Sequence, residues 1–164
     1  LDRADEPFDA FLLEVLGENQ ITIPELGAIR AVAPPVTLIT SNRTREVHDA
    51  LRRRCLYQWV GYPEADTELA IVRLKAPGAS QRLAAQVVAF IHRMRTLDLF
   101  KAPGVAEAVD WTNALVALNT LQLDPASVQD TLGVLLKHQD DIVRLQSGDT
   151  GKILDEMRAR GMID

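Results

Sequence analysis

One asparagine and three consecutive arginines stand near the end of an apolar run. Asn42 follows the run Val36–Thr40, and Arg52, Arg53 and Arg54 come shortly after it. In an open parallel sheet, ligands bind beyond the carboxyl ends of the strands. At such a place the side-chain amide of Asn42 could orient a water against a phosphate. An outward arginine could stabilise charge on a transferring phosphoryl group, including a group held by a neighbouring subunit. A capped turn and a basic helix end account for these residues about equally well, because arginines suit the helix dipole there.

The stretch SGDTGK, residues Ser147–Lys152, has a superficial likeness to a phosphate loop. Such a loop needs four residues between its first glycine and the Gly-Lys pair, followed by Ser or Thr. Here Asp149 and Thr150 alone separate the two glycines, and Ile153 follows the lysine. A flexible turn between helices is the better interpretation.

The other residue types that could carry chemistry favour structural roles. His48, His92 and His138 are far apart, with no cysteine or carboxylate at metal-ligand spacing, so we expect solvated or capping histidines and no metal site. Cys55 lies in no nucleophile motif, and its place in a predicted strand favours a small buried side chain.

The elements before residue 63 mix helix and strand. A helix is predicted over Ala4–Gln20, with Pro7 in its first turn and one buried apolar stripe formed by Phe8, Phe11, Leu12, Val15 and Leu16. Four acidic residues lie at its start, where the helix dipole stabilises negative charge; this role is a better interpretation than metal binding. They are Asp2, Asp5, Glu6 and Asp9.

Alternating apolar residues on both sides of Pro24–Gly27 predict a small hairpin. Val36–Thr40 is predicted as a buried strand of a parallel sheet, and Leu56–Val60 is a second strand candidate. Between them, Arg45–Arg53 can form one or two helical turns.

After Pro63 the strand signals end, which predicts an α/β domain over residues 1–63 and an all-α domain over residues 64–164. The all-α domain should contain no strand of four residues or more. Its helices are predicted near Glu64–Lys75, Ser80–Leu97, Val105–Leu121, Pro125–Leu145 and Lys152–Arg160.

Composition excludes several classes of protein. The 164 residues are 47% apolar and 25% charged, with a net charge of −5, which argues against a dedicated nucleic-acid binder. No apolar run approaches the roughly 20 residues of a membrane span. One cysteine cannot form an internal disulfide, so we expect a cytoplasmic protein.

The sequence resembles the second half of an AAA+ ATPase module of the MoxR family, of the type that accompanies carbon monoxide dehydrogenase. The stretch LDRADEPFDAFLLEVLGENQITIPELGAIRA is similar to the segment after the Walker B acids. The stretch VTLITSNRTREVHDALRRRCLYQWVGYP is similar to the sensor-1 strand, a short helix and the arginine-finger turn. The resemblance implies a partial AAA+ α/β core with an incomplete parallel sheet, followed by a helical lid domain.

The resemblance also implies roles for individual residues. Asn42 takes the sensor-1 position, next to the nucleotide. Arg54, directly before Cys55, matches the arginine finger, and Arg53 is the alternative in a register shifted by one. Glu107 stands where the family has its sensor-2 arginine, and a carboxylate cannot replace an arginine at a phosphate. ATP and Mg²⁺ would be held mainly by Walker A and Walker B segments upstream of Leu1, so we expect the chain alone to be inactive.

The function implied by the resemblance is chaperone-like maturation or remodelling of a metalloenzyme, driven by ATP hydrolysis. Its partners would be identical copies in a hexameric ring, a protein with a von Willebrand factor A domain, and the metalloenzyme client. The alternative is a non-enzymatic helical adaptor that binds an acidic protein or nucleic acid through Arg52–Arg54.

Overall fold

A computed structural model of the chain describes residues 4–42 and 46–163. The chain forms two compact units, Leu1–Val60 and Gly61–Asp164, here called the N-terminal and C-terminal units. The N-terminal unit contains α1 (Glu6–Glu18), β1 (Gln20–Ile23), β2 (Gly27–Arg30) and α2 (Asp49–Arg52). The C-terminal unit contains α3 (Ala65–Lys75), α4 (Gln81–Met94), α5 (Val105–Ala117), α6 (Pro125–Leu135), α7 (Gln139–Arg144) and α8 (Thr150–Ala159).

The predicted first helix is confirmed, although α1 is shorter at both ends. Pro7 lies in its first turn, and the Asp5 carboxylate accepts a hydrogen bond of 3.0 Å from the Phe8 N–H. This carboxylate therefore caps the helix, as the dipole interpretation predicted. Asn19 ends the helix in the left-handed conformation, at φ 52°. Asp2 lies outside the described residues.

The predicted buried stripe on α1 is wrong. The rings of Phe8 and Phe11 stack at 5.8 Å, yet these residues are 44% and 42% exposed. The stripe residues Leu12, Val15 and Leu16 are half-buried. Because α1 packs against the short elements β1 and α2, its apolar face is covered only in part. Small units generally bury a smaller share of their surface.

The hairpin is confirmed as an antiparallel pair, with Ile21 opposite Ile29. Gly27 closes the turn at φ 75°, where an L side chain would be strained. The Glu14 carboxylate of α1 accepts hydrogen bonds from the Gln20 side chain and from both the N–H and the hydroxyl of Thr22. The Thr22 hydroxyl bond lowers the pKa of Glu14, since it favours the ionised form. Hydrogen bonds from β1 to Glu14 therefore attach the hairpin to α1.

The predicted parallel strand Val36–Thr40 and the strand candidate Leu56–Val60 are both wrong. Val36–Thr40 and Leu56–Val60 form no β-ladder with any described segment, and the sheet of the described residues is the β1–β2 pair. Val36 and Leu38 are 94% and 91% exposed. An apolar run becomes a strand only when another segment pairs with its N–H and C=O groups. The described part of the chain thus has a mixed α and β fold without the expected parallel sheet.

Four of the five helices predicted for the C-terminal unit are confirmed, with ends shifted by a few residues, and residues 61–163 contain no strand. Trp111 and Phe90 lie at the centre of its core, fully buried and 5.4 Å apart. The indole N–H of Trp111 donates to the Thr131 hydroxyl at 2.7 Å, so the ring is buried without losing its hydrogen bond. Within the described residues, no helix is both long and apolar enough to cross a membrane.

The single helix predicted over Pro125–Leu145 is wrong, because the helix is interrupted between α6 and α7. Leu136 is extended, at φ −111° and ψ 136°, and buried, and α7 starts after it. The break places the buried Asp141 where its carboxylate accepts hydrogen bonds of 2.8 and 3.2 Å from the N–H groups of Phe100 and Lys101. These two hydrogen bonds join α7 to the segment that follows α4.

Asp124 caps α6 and should make stability depend on pH. Its carboxylate accepts hydrogen bonds from the N–H groups of Ser127 and Ala126, at 3.0 and 2.9 Å. The Ser127 N–H bond, the main cause, holds the pKa of Asp124 below 3.8. We expect Asp124→Ala to lower the free energy of unfolding by about 1 kcal/mol at pH 7. Because the folded pKa is depressed, this difference should shrink as the pH falls below 3.8.

Urea unfolding of the two proteins at several pH values measures this difference. Asp124→Asn is the matched control, because an asparagine cap accepts the same bonds and does not titrate. A loss of equal size at all pH values in Asp124→Ala would contradict the role of the ionised carboxylate.

Candidate functional site

The arginine cluster lies at the end of α2, which a cap and a buried leucine hold in place. The Nδ1 atom of His48 accepts a hydrogen bond of 3.2 Å from the Ala50 N–H, so this histidine caps the helix as predicted. Leu51 is 1% exposed and anchors the helix in the N-terminal unit. The helix is shorter than the predicted Arg45–Arg53, and Arg45 lies outside the described residues.

Arg52 and Arg53 both lie near the Asp49 carboxylate, at 3.8 and 3.7 Å. Their surroundings differ, since the Arg52 side chain is 48% exposed and its guanidinium lies 5.7 Å from the centre of the Tyr57 ring. The Arg53 side chain is 81% exposed. Exposed ion pairs of this kind are weak, so Arg53 can leave Asp49 for a stronger acceptor.

Arg54 bridges the two helices of the N-terminal unit. Its Nη1 donates to the Ala50 carbonyl of α2 at 3.0 Å. Its Nε lies over Gly17 of α1, so close that a Cβ on Gly17 would be 3.3 Å from it. The hydrogen bond to a carbonyl near the end of α2 is the structural role expected of a basic helix end.

Asn42 is exposed, at the end of the extended segment that the sequence predicted as a strand. Its neighbours Thr40 and Ser41 line a cavity of about 260 Å³, together with Leu51 and Arg52 of α2. The structure thus brings the segment before Asn42 and α2 to the same cavity. Of the predicted site residues Arg52 lines it, whereas Asn42, Arg53 and Arg54 are not among its lining residues.

The same cavity contains residues that the sequence did not single out. Tyr57 and Trp59 line it, with ring centres 5.2 Å apart. Cys55 also lines it and is half-buried, in a turn and not in the predicted strand. The Tyr-x-Trp spacing, which places both side chains on one side of an extended chain, was the signal that could have indicated this aromatic pair.

The SGDTGK stretch is not a phosphate loop. The chain kinks at Gly148, whose φ of 137° is not helical, and Thr150, Gly151 and Lys152 already belong to α8. The Lys152 ammonium lies 2.9 Å from the Asp149 carboxylate, and its hydrogen bond lowers the pKa of Asp149. An ionised carboxylate at this place would repel a phosphate, so the sequence interpretation as a turn is the better one.

A buried ion pair in the C-terminal unit was missed at the sequence level. Glu68 has 0% exposure, and its two carboxylate oxygens accept from both Nη atoms of Arg95, at 2.6 and 2.8 Å. His92, predicted as solvated or capping, instead contacts Glu68 at 2.8 Å and is half-buried. The Arg95 guanidinium also lies 4.2 Å from the Tyr62 ring and donates to the Pro103 carbonyl. This network ties the start of the C-terminal unit to α3 and α4.

Glu107 and His138 have structural contacts. The Glu107 carboxylate accepts from the Gly104 N–H at 3.0 Å, and a Cβ on Gly104 would lie 2.8 Å from the Glu107 Oε2. The carboxylate at the place of the expected sensor-2 arginine thus closes the first turn of α5. The ring of His138 packs on Phe100, at 4.3 Å.

The guanidiniums at the end of α2 are the groups in this region that can donate to anionic oxygens, as arginine side chains do for carboxylates and phosphates. Among the described residues, no group of three or more His, Cys, Asp or Glu could hold a metal ion.

Comparisons with known proteins give no match: no family model, no curated protein and no solved structure matches the chain.

Proposed function

We propose that the chain is part of a ring-forming AAA+ ATPase of MoxR type, which uses ATP hydrolysis to mature or remodel a metalloenzyme. The observation that carries the proposal is the exposed arginine end of α2, beside the cavity reached by the segment that ends in Asn42. The sequence resemblance supplies the family and the class of client.

Within this proposal the site is shared between neighbouring copies. Asn42 contacts the ATP bound to its own subunit and positions the attacking water. Arg54, or Arg53, reaches the terminal phosphate of the ATP bound to the next subunit. The phosphate cradle and the Mg²⁺ ligands belong to a preceding part of the parent protein, and the C-terminal unit is its lid. The further partners are a von Willebrand factor A domain protein and the client, in the cytoplasm.

We expect the chain alone to hydrolyse no ATP above background. Ser147–Lys152, the stretch with a likeness to a phosphate loop, kinks at Gly148 and continues into α8, and Lys152 is paired with Asp149. Phosphate release by the highly purified chain is the measurement. Sustained turnover that disappears in Asn42→Ala would contradict this expectation, because the chain would then contain a complete site.

The coding sequence upstream of Leu1 tests the function itself. It should encode GxxxxGK followed by Ser or Thr, and then the two Walker B acids. The protein expressed from that reading frame should hydrolyse ATP and form rings. A reading frame that starts near Leu1, or a parent that binds no ATP, would rule the proposal out.

The alternative is an adaptor that binds an acidic protein or nucleic acid through Arg52–Arg54, favoured by the 81% exposure of the Arg53 side chain. This alternative predicts that the chain alone binds polyglutamate or RNA in low salt, and that Arg53→Glu abolishes the binding. Lys152→Glu is the matched control, because it makes the same change of charge at a residue far from the arginines that is already paired with Asp149.

A further inference from the structure

Several hydrogen bonds connect the hairpin to α1. The Glu14 carboxylate accepts the N–H of Thr22 at 3.0 Å and the side-chain amide of Gln20 at 3.1 Å. The Ala31 N–H, just after the hairpin, donates to the Asn19 carbonyl at 2.8 Å. A displacement of the hairpin is therefore passed to the last turn of α1.

Gly17 lies in that last turn and contacts Arg54. A Cβ on Gly17 would be 3.3 Å from the Arg54 Nε and 3.9 Å from one Nη atom. The distance of 3.3 Å is shorter than ordinary van der Waals contact. An alanine at position 17 would therefore require the Arg54 side chain to move by a few tenths of an ångström. The guanidinium can lie this close to α1 because Gly17 has no side chain.

Arg54 is held on its other side by the Ala50 carbonyl of α2, at 3.0 Å. Groups of both helices therefore lie next to this guanidinium. Arg53 instead lies 3.7 Å from Asp49, and a Cβ on Gly17 would have atoms of Arg54, and none of Arg53, within 4 Å.

We propose that Gly17 is a positioning residue for Arg54, so that the end of α1, and the hairpin it carries, control the direction of this arginine. The proposal rests on the proposed function for its consequence: a partner that displaces the hairpin would change the ability of Arg54 to reach the phosphate held by the next subunit. The hairpin would thereby couple partner binding to ATP turnover.

The contact itself can be tested in the chain alone by NMR of the Arg54 Nε–Hε group, assigned by its loss in Arg54→Lys. Gly17→Ala should shift this signal, and Gly17→Val should shift it further. Gly133→Ala is the matched control, since it is also a helical glycine and a Cβ there meets nothing within 4 Å. Both alanine variants raise helix propensity, so loss of folding does not explain a shift. An Arg54 signal unchanged in Gly17→Val would overturn the proposal.

The consequence is tested in the full-length parent. Gly17→Val should lower turnover by about 10²-fold, the scale of a misplaced catalytic group, with an unchanged KM for ATP. Gly133→Ala should keep wild-type turnover. If the parent hydrolyses ATP and Gly17→Val has the wild-type rate, the positioning role is wrong while the ATPase proposal stands. If the parent has no ATPase activity, the proposed function and the coupling fail together, and the NMR result still decides the contact.

Discussion

Replacing Arg54 by alanine in the full-length parent is expected to cut ATP turnover by roughly 10³-fold or more while ATP binding stays nearly intact. The guanidinium would meet charge that grows only as the phosphoryl group transfers, so its loss acts on the transition state. Arg54→Lys should rescue poorly, because an ammonium lacks the planar fork of donors.

The contacts of Arg54 within the chain are compatible with this role. Its Nη1 donates to the Ala50 carbonyl, and a guanidinium carries five N–H donors, so the remaining donors can meet a phosphate oxygen while this bond stays in place. A 10³-fold effect on rate corresponds to roughly 4 kcal/mol of transition-state stabilisation. Arg53→Ala is the matched control, and the larger loss identifies the finger.

A mixing experiment tests whether the arginine acts on the neighbouring subunit. Arg54→Ala is combined with a parent variant that lacks the Walker B glutamate, with each single variant measured alone. Mixed rings should recover activity, because an intact arginine can then face an intact site. If mixed rings form and no ratio exceeds both single variants, the arginine does not act in this way.

The second large effect concerns stability. Glu68→Ala should lower the free energy of unfolding of the chain by about 3–5 kcal/mol, because it leaves the guanidinium of Arg95 without its counter-ion at 7% exposure. The measurement is urea unfolding followed by circular dichroism.

The chain provides a matched control for this variant in Glu156→Ala. Glu156 pairs with Arg93 through two bonds of 2.6 and 2.8 Å, the same distances as in the Glu68–Arg95 pair. Its side chain is 42% exposed, so solvent screens the pair and the loss should be much smaller. Equal losses in the two variants would show that burial does not decide the cost. In Glu68→Met combined with Arg95→Met, part of the stability should return, because no unpaired charge remains.

Local signals in the sequence were sufficient for most helices and for the hairpin. Asp5 and Pro7 mark the start of α1, and Gly27 supplies the positive φ that the hairpin turn requires. In the C-terminal unit, apolar residues at helical spacing between Pro and Gly separators predicted the helices. These features depend on residues a few positions apart, so the sequence by itself determined them.

The arrangement of the candidate site depended on tertiary structure. Val36–Thr40 has the composition of a strand, yet a strand requires a paired segment, and no described segment forms a β-ladder with it. Arg52, Arg53 and Arg54 have the same residue type, and their contacts distinguish them in the structure. Arg53 lies near Asp49, whereas Arg54 donates to the Ala50 carbonyl and lies next to Gly17 of α1.

The burial of Glu68 could not be predicted from the sequence, because a carboxylate on a helix normally indicates a solvated face. Its partner Arg95 lies 27 residues away, on another helix. Helix periodicity specifies which residues share one face of one element. Which faces meet, and which charges are removed from water together, is decided by contacts between distant segments, because the free energy of an ion pair depends on its surroundings more than on its residue types.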